Sequence, residues 1–392
     1  MKIVDITTTT LHYPNVPAVQ DGTLASPGPD AGGRSHLFVH IKTDEDVEGF
    51  GVGQASPGSV QLIETVLKQI LIEQDPFDIE RLWSDMFWKL RTFGSKGIAS
   101  QALSAVDIGL WDLKAKLAGE PLWRLLGAKD RFVTGYASGL DIALTNEQLH
   151  DFYTLMGERG FQSGKLKGGR DASYDLKRLA IVADALRRNC PTPALMLDAN
   201  ESWNLKQAVR YLHRIEQEID LAWIEEPLRR WDASGHARLS GAIRAAVATG
   251  ENLTGLEQFR PLFDANGVDV VQAGAVWGIT HFLRVAVAAH SRDLPVSPVG
   301  LTANYAVTAA AAAVPNHLSS EIQDLSAPFG VDLDQSIEDG GVVLGDKPGV
   351  GVEIDEAAIV AHQRDASWLS NGGPHVRSHR AGLRLITHLE EE

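Results

Sequence analysis

The amino-acid sequence predicts an α/β protein built on a closed parallel barrel, with a separate α+β unit in front of it. Two observations carry this. From about residue 133, short apolar runs alternate with amphipathic helical stretches at spacings of roughly 20–33 residues, the size of one β/α unit in a closed barrel. Three acidic residues, Asp198, Glu225 and Glu251, then fall at equivalent places in consecutive units, 27 and 26 residues apart.

The N-terminal unit covers residues 1–125. Ile3 to Leu11 and Leu37 to Lys42 read as strands, the second followed by the turn Thr43-Asp44-Glu45-Asp46. Between them, Asp21 to Arg34 is rich in Gly, Pro and Ser and reads as a long loop, a kind uncommon without a function. From Ser59 the pattern turns helical. Ala99 to Leu117 carries apolar residues at helical spacing, and Gly119-Glu120-Pro121 ends it.

The barrel occupies residues 126–335. Its eight expected strands are 135–138, 164–167, 195–198, 222–225, 246–249, 268–272, 295–298 and 318–322. After residue 330 the alternation stops. Gly340 to Val343 and Pro348 to Val352 read as turns and short strands, residues from about 365 are polar, and the segment 336–392 ends in an acidic tail.

Composition narrows the function classes. The chain has 392 residues, 44% hydrophobic and 22% charged, with a formal net charge of −15. That balance argues against nucleic acid or an anionic membrane as partner. It leaves room for an anionic small substrate, because a bound cation reverses the local field. The single cysteine, Cys190, cannot form an internal disulfide, which fits a reducing compartment. No apolar run is long enough to span a bilayer, and the start lacks a signal-peptide pattern. A soluble cytoplasmic protein is expected.

Strand ends of a parallel barrel converge on its C-terminal face, where barrel active sites lie. Asp198, Glu225 and Glu251 would meet there and repel one another. A hard cation resolves the repulsion, and an all-oxygen set suits Mg²⁺. Any one of these acids could instead cap the following helix; three in register after apolar strands favour a metal. One unit earlier, Lys165 and Lys167 flank Leu166, so alternation puts both on the barrel-facing side. A Lys-x-Lys is usually surface charge. At the end of a barrel strand beside three acids, crowding and a metal can lower a lysine's pKa enough to make it a base.

Taken together, Lys165-Leu166-Lys167, Leu197-Asp198-Ala199-Asn200, Trp223-Ile224-Glu225-Glu226-Pro227 and Gly250-Glu251-Asn252 resemble the enolase superfamily, and within it the mandelate racemase-like group. Ser104 to Lys116, Leu122 to Gly127 and Pro348 to Val352 support the match, which runs to about residue 355. The resemblance implies a (β/α)₇β modified TIM barrel with an α+β capping domain formed by both chain ends. It implies Mg²⁺ on Asp198, Glu225 and Glu251, binding a substrate carboxylate and stabilising an enediolate. Lys167 becomes the base that removes the proton α to that carboxylate, and Lys165 its electrostatic neighbour. Glu321 and Asn200 become substrate contacts. In the cap, the loops Asp21 to Arg34 and Gln54 to Pro57 would read the distal end of the substrate, with Arg34 or His36 pairing a second polar group. A homo-oligomer is expected.

The sequence departs from the group on one side. Where an Asp–His pair usually stands, it has Gly274 and Val299, and Pro295 to Ala303 contains no histidine. Racemisation needs a proton donor on each face, so it is disfavoured. Elimination needs one base and some acid, for which Tyr305, Tyr136 or a metal-bound water are candidates. The leading expectation is a lyase that dehydrates a sugar acid. A cycloisomerase or epimerase of the same chemistry, or a metal-binding barrel without catalysis, are the alternatives.

Overall fold

The computed structural model describes residues 1–14, 33–94, 96–300, 304–323 and 329–362. The first layer is an antiparallel sheet of β1 (Ile3–Pro14), β2 (Gly33–Thr43) and β3 (Glu48–Gln54), in that order. Residues two apart on a strand share a face, and Leu37, Val39 and Ile41 are buried together with Ile3 and Ile6. The helices Ile79–Leu90 and Ile98–Leu117 contribute Leu82, Met86, Ala102 and Val106 to the same core. Of the long loop anticipated at Asp21 to Arg34, residues 21–32 lie outside the described residues, while Gly33 and Arg34 belong to β2 instead.

The barrel strands are β4 (Phe132–Ser138), β5 (Ser163–Lys167), β6 (Ala194–Asp198), β7 (Leu221–Glu225), β8 (Ala246–Thr249), β9 (Val270–Gly274), β10 (Val296–Val299) and β11 (Ser320–Ile322). They pair in parallel from β4 through β10, and β11 pairs with β4. A bridge between Val296 and His317, with Leu318 N donating to Val296 O at 2.9 Å, closes the ring. A helix follows each of the first seven strands, which is the (β/α)₇β arrangement. β9 begins later than the apolar run suggested. Its approach is used otherwise: the Asp269 carboxylate accepts from Val247 N at 2.8 Å.

Period-two alternation sorts the strand residues into two layers. Leu166, Leu197, Ile224, Val247 and Val271 face the helices and form the main core. Tyr136, Met196, Trp223, Ala248 and Val270 face inward and form a small separate cluster. That cluster fills the barrel one step below Asp198 and Glu225, so the C-terminal mouth has an apolar floor.

Past residue 330 the chain divides. β13 (Gln335–Glu338) and β14 (Gly341–Leu344) form a hairpin around Asp339-Gly340, both at positive φ (53° and 76°), the conformation a tight two-residue turn requires. β14 adds antiparallel to β4, so this part joins the barrel rather than the cap. β12 (Val331–Leu333) pairs with β15 (Val352–Ile354), and the helix Glu356–His362 follows. This last piece reaches the cap, where the Glu356 carboxylate lies 3.2 Å from His40 Nδ1.

Two buried aspartates of the helix Ile98–Leu117 tie the layers together. Asp107 accepts from Thr280 N (2.9 Å) and Thr280 Oγ1 (2.5 Å) at the start of the barrel helix Ile279–His290. Burial pushes its carboxyl up to about 6, against the hydrogen bonds from Thr280. Asp112 accepts from Phe50 N of β3 and from Val350 N, each at 2.8 Å. No helix among the described residues is long and apolar enough to cross a membrane.

Candidate active site

Lys167, Asp198 and Glu225 end three adjacent strands and stand in one register row: Lys167 pairs with Asp198, and Asp198 with Glu225. Glu251 follows β8 by two residues. It reaches the mouth because Gly250 turns the chain at φ 127°, a region that excludes side chains. A Cβ at residue 250 would also come within 2.6 Å of the Phe259 ring and 2.5 Å of Gln272 O.

Lys165 and Lys167 are both buried and point into the mouth. Lys167 Nζ lies 2.5 Å from Asp198 Oδ2. Lys165 Nζ contacts the Glu225 carboxylate, lies 2.9 Å from Glu321 Oε1 and 3.9 Å from Asp198 Oδ2, and donates to Tyr136 OH at 3.4 Å. Gln272 Nε2 donates to Glu225 Oε2 at 2.5 Å, and Trp223 Nε1 to the same oxygen at 3.3 Å. Asn200 donates to Asp198 through its backbone N (2.8 Å) and its Nδ2 (3.2 Å). Gly300 N donates to Glu321 Oε2 at 3.1 Å. Beneath the lysine, the buried Asp141 accepts from Lys167 N at 2.9 Å and from Tyr153 OH at 2.8 Å.

The electrostatics are those of an acid-rich cluster. Burial pushes Glu225 up to about 7, with Asp198 and Glu321 adding to it against the lysines. Burial and Glu225 push Glu251 up to about 8. Burial, with Glu251, Asp198 and Glu201, carries Glu226 well above the ordinary range. Burial opposes ionisation of Asp198 and Glu321 too, but the ammoniums outweigh it, lowering Asp198 and bringing Glu321 to about 2.

Both lysines shift upward, opposite to the lowering anticipated from crowding. Burial pulls each ammonium down, and the surrounding carboxylates outweigh it: Glu225, Glu321 and Asp198 for Lys165, Asp198 chiefly for Lys167. Among the described residues, no three acidic, His or Cys side chains form a ready ligating cluster; the ammoniums are interleaved with the acids instead. The donor chemistry nevertheless fits a hard divalent cation. Five carboxylates (Asp198, Glu225, Glu226, Glu251, Glu321) share a mouth with two ammoniums, and three of the five are pushed towards their protonated form. A cation among oxygen donors removes that penalty.

The wall at Gly274 and Val299 is filled by packing. Gly274 N-caps a short 3₁₀ turn, Ala275–Trp277, and Trp277 Nε1 donates to Glu251 O at 2.6 Å. A Cβ on residue 274 would lie 2.7 Å from the Trp277 ring and 2.3 Å from Glu251 O. The indole thus fills the room an aspartate side chain would need. Val299, paired with Gly274, is buried.

Other candidates fall elsewhere. The side chains of Arg34 and Tyr305 lie outside the described residues. His36 is buried near Phe38, with ring centroids 6.3 Å apart. Gln54 accepts from Gln101 Nε2 at 2.9 Å, and Ser56 caps the helix that begins at Pro57. Tyr136 is buried in the barrel floor against Trp223. Sequence reasoning passed over Gln272, Asp141 and Glu226. Glu226 was visible as the second acid of Glu-Glu-Pro, but nothing in the sequence shows that Asn252 Nδ2 bridges it (2.8 Å) to Glu251 (3.0 Å).

Comparison with known proteins identifies the family. The family described as mandelate racemase / muconate lactonizing enzyme, N-terminal domain, matches residues 31–127, and the enolase C-terminal domain-like family matches residues 149–358. An L-talarate/galactarate dehydratase from Salmonella typhimurium is 33% identical over 330 residues, 82% of this chain and 81% of the relative. A 3,6-anhydro-alpha-L-galactonate cycloisomerase from Streptomyces coelicolor is 31% identical, over 81% of this chain and 89% of its own. Among solved structures, an L-talarate dehydratase from a Polaromonas species, complexed with Mg and L-glucarate, superposes with a TM-score of 0.83 at 30% identity. It covers 93% of this chain and 98% of that one.

Proposed function

The chain belongs to the mandelate racemase / muconate lactonizing enzyme family of the enolase superfamily, and we propose that it is a Mg²⁺-dependent lyase that dehydrates a sugar acid. The observation that carries this reading is the register row Lys167–Asp198–Glu225 with Glu251 beyond it. It sets a lysine beside an oxygen-donor set at a barrel mouth.

Asp198, Glu225 and Glu251 would hold the cation. Bound there, it would supply positive charge to the substrate carboxylate and release Lys167 from Asp198. Lys167, as the neutral amine, takes the proton from the carbon α to that carboxylate and becomes an ammonium. The C–H electron pair passes into the carboxylate, giving an enediolate. When that pair returns to form the Cα=Cβ bond, the β-hydroxyl leaves as water. The Lys167 ammonium supplies the proton, and the resulting enol becomes a 2-keto acid. Lys165 stays charged and holds Glu225 and Glu321 in place. Gln272 and Asn200 fix the acids' orientation.

The family relatives include dehydratases and cycloisomerases at nearly equal identity, which supports cycloisomerisation as a second reading: the same first proton transfer, followed by a different fate for the enediolate. Incubation with a panel of acid sugars and Mg²⁺, scored for 2-keto acids, separates the two. A 2-keto acid with loss of water supports the lyase. An isomeric product of unchanged mass supports the cycloisomerase and sinks the lyase.

A further inference from the structure

Three non-glycine residues at the mouth adopt left-handed backbone conformations: Asn200 (φ 43°), Glu201 (58°) and Glu226 (41°). For Glu such a conformation is uncommon and persists only where its surroundings hold it. The two glutamates lie in the loops after β6 and β7, and Glu201 N donates to Glu226 O at 2.7 Å. Arg230, further along the loop after β7, grips the largely buried Glu201. Its Nε donates to Glu201 Oε1 at 2.7 Å, its Nη2 to Oε2 at 3.0 Å, and its backbone N to Oε1 at 2.9 Å. Its Nη1 lies 3.4 Å from Asn252 O, in the loop after β8. Asn252 in turn bridges the carboxylates of Glu226 and Glu251.

Arg230 therefore touches all three loops that follow the acid-bearing strands, and its hydrogen bonds go to Glu201 and Asn252. We propose that Arg230, through its two-pronged bond to Glu201, is a positioning residue that sets the spacing of Asp198, Glu225 and Glu251 for a divalent cation. The proposal rests on those three acids being the cation's ligands. A planar guanidinium suits the role because its fork fixes both distance and angle, whereas a lysine would offer one movable point of charge. The grip is mutual: Arg230 outweighs burial to hold the Glu201 carboxyl below its ordinary range.

The test is a calorimetric Mg²⁺ titration of the full chain, as wild type and as Glu251→Gln, Arg230→Ala, Arg230→Lys and Glu201→Gln. Residues one step outside a metal's ligands typically change its affinity about 10–100-fold. A loss of that size is expected for Arg230→Ala and Glu201→Gln, with a smaller loss for Arg230→Lys. Raising Mg²⁺ should restore kcat in all three. A merely structural role would lower Tm and leave the Mg²⁺ Kd alone. If Arg230→Ala does not fold, the volume-conserving Arg230→Lys and Glu201→Gln carry the test. Folded variants whose Mg²⁺ Kd stays within about twofold of wild type overturn the proposal while leaving the ligand reading intact. A wild-type protein that binds no Mg²⁺, or a Glu251→Gln variant that binds it as tightly as wild type, overturns the ligand reading and the proposal with it.

Discussion

Gly274 and Val299 stand side by side in parallel register at the ends of β9 and β10, so the two positions face one wall of the mouth together. The wall is closed by packing. Trp277 lies against Gly274 and donates to Glu251 O. Putting even a methyl group on residue 274 forces the indole or the Glu251 backbone to move. Gly274→Ala should therefore lose about 1–3 kcal/mol of stability, the usual penalty for overfilling a packed site. Urea denaturation checks this; a loss below about 0.3 kcal/mol would mean that the contact is soft and that the wall could be rebuilt by substitution.

Glu251→Gln keeps the side chain's size and removes one acid. It should abolish turnover and Mg²⁺ binding while the circular dichroism spectrum stays that of the wild type. The same substitution removes a carboxyl that repels Glu225 and Glu226, so in the absence of Mg²⁺ its Tm should equal or exceed the wild type's. A Tm several degrees lower in metal-free buffer would show that Glu251 holds the fold by some contact other than those described.

Asp107 offers a pH test at the junction of cap and barrel, away from the acids of the mouth. Burial raises its carboxyl from an ordinary 3.8 to about 6 in the folded protein. Between those values the folded state keeps a proton that the unfolded chain has released. This group's contribution to stability therefore falls as pH rises through that window, by at most about 1.4 kcal/mol per pH unit, and levels off above it. In Asp107→Asn the titration is gone. The stability of wild type minus that of the variant, measured by denaturation from pH 4 to 8, should decrease up to about pH 6 and then stay flat. A difference independent of pH would show that Asp107 is ionised throughout.

Much of the barrel was legible because its signals are local. Most of the strands are short apolar runs, and the acids at 198 and 225 follow such runs directly. The helix Ile98–Leu117 announced itself by period and by its Gly-Glu-Pro stop. The hairpin β13–β14 was only half read, because polar Gln335 to Glu338 looks like loop until β14 is seen docked on β4. The lysines' protonation was also out of reach. Their sequence neighbours show crowding, but its sign depends on how many carboxylates converge from other strands, and Glu321 comes from more than 150 residues away. Arg230 and Glu201 carry no motif at all. They are 29 residues apart and meet only because the loops after β6 and β7 turn towards each other.

On the proposed function, Lys167, whose Nζ lies 2.5 Å from Asp198 Oδ2 at the mouth, is the one base of the reaction. On that reading a proton taken by Lys167 is returned by Lys167. In heavy water a substrate undergoing reversible abstraction should exchange its α-hydrogen for deuterium with retention and show no inversion, as followed by proton NMR. Lys167→Ala should then lose exchange and dehydration together, by at least the roughly 10²–10⁴-fold that a positioned base contributes. Lys165→Ala should behave differently. It strips Glu225 and Glu321 of their shared cation, so it should weaken substrate or Mg²⁺ binding as well as slow the reaction. Exchange in Lys167→Ala at near wild-type rate, or an inverted product from the wild type, would place a second proton-transfer group on the opposite wall and turn the assignment towards an epimerase.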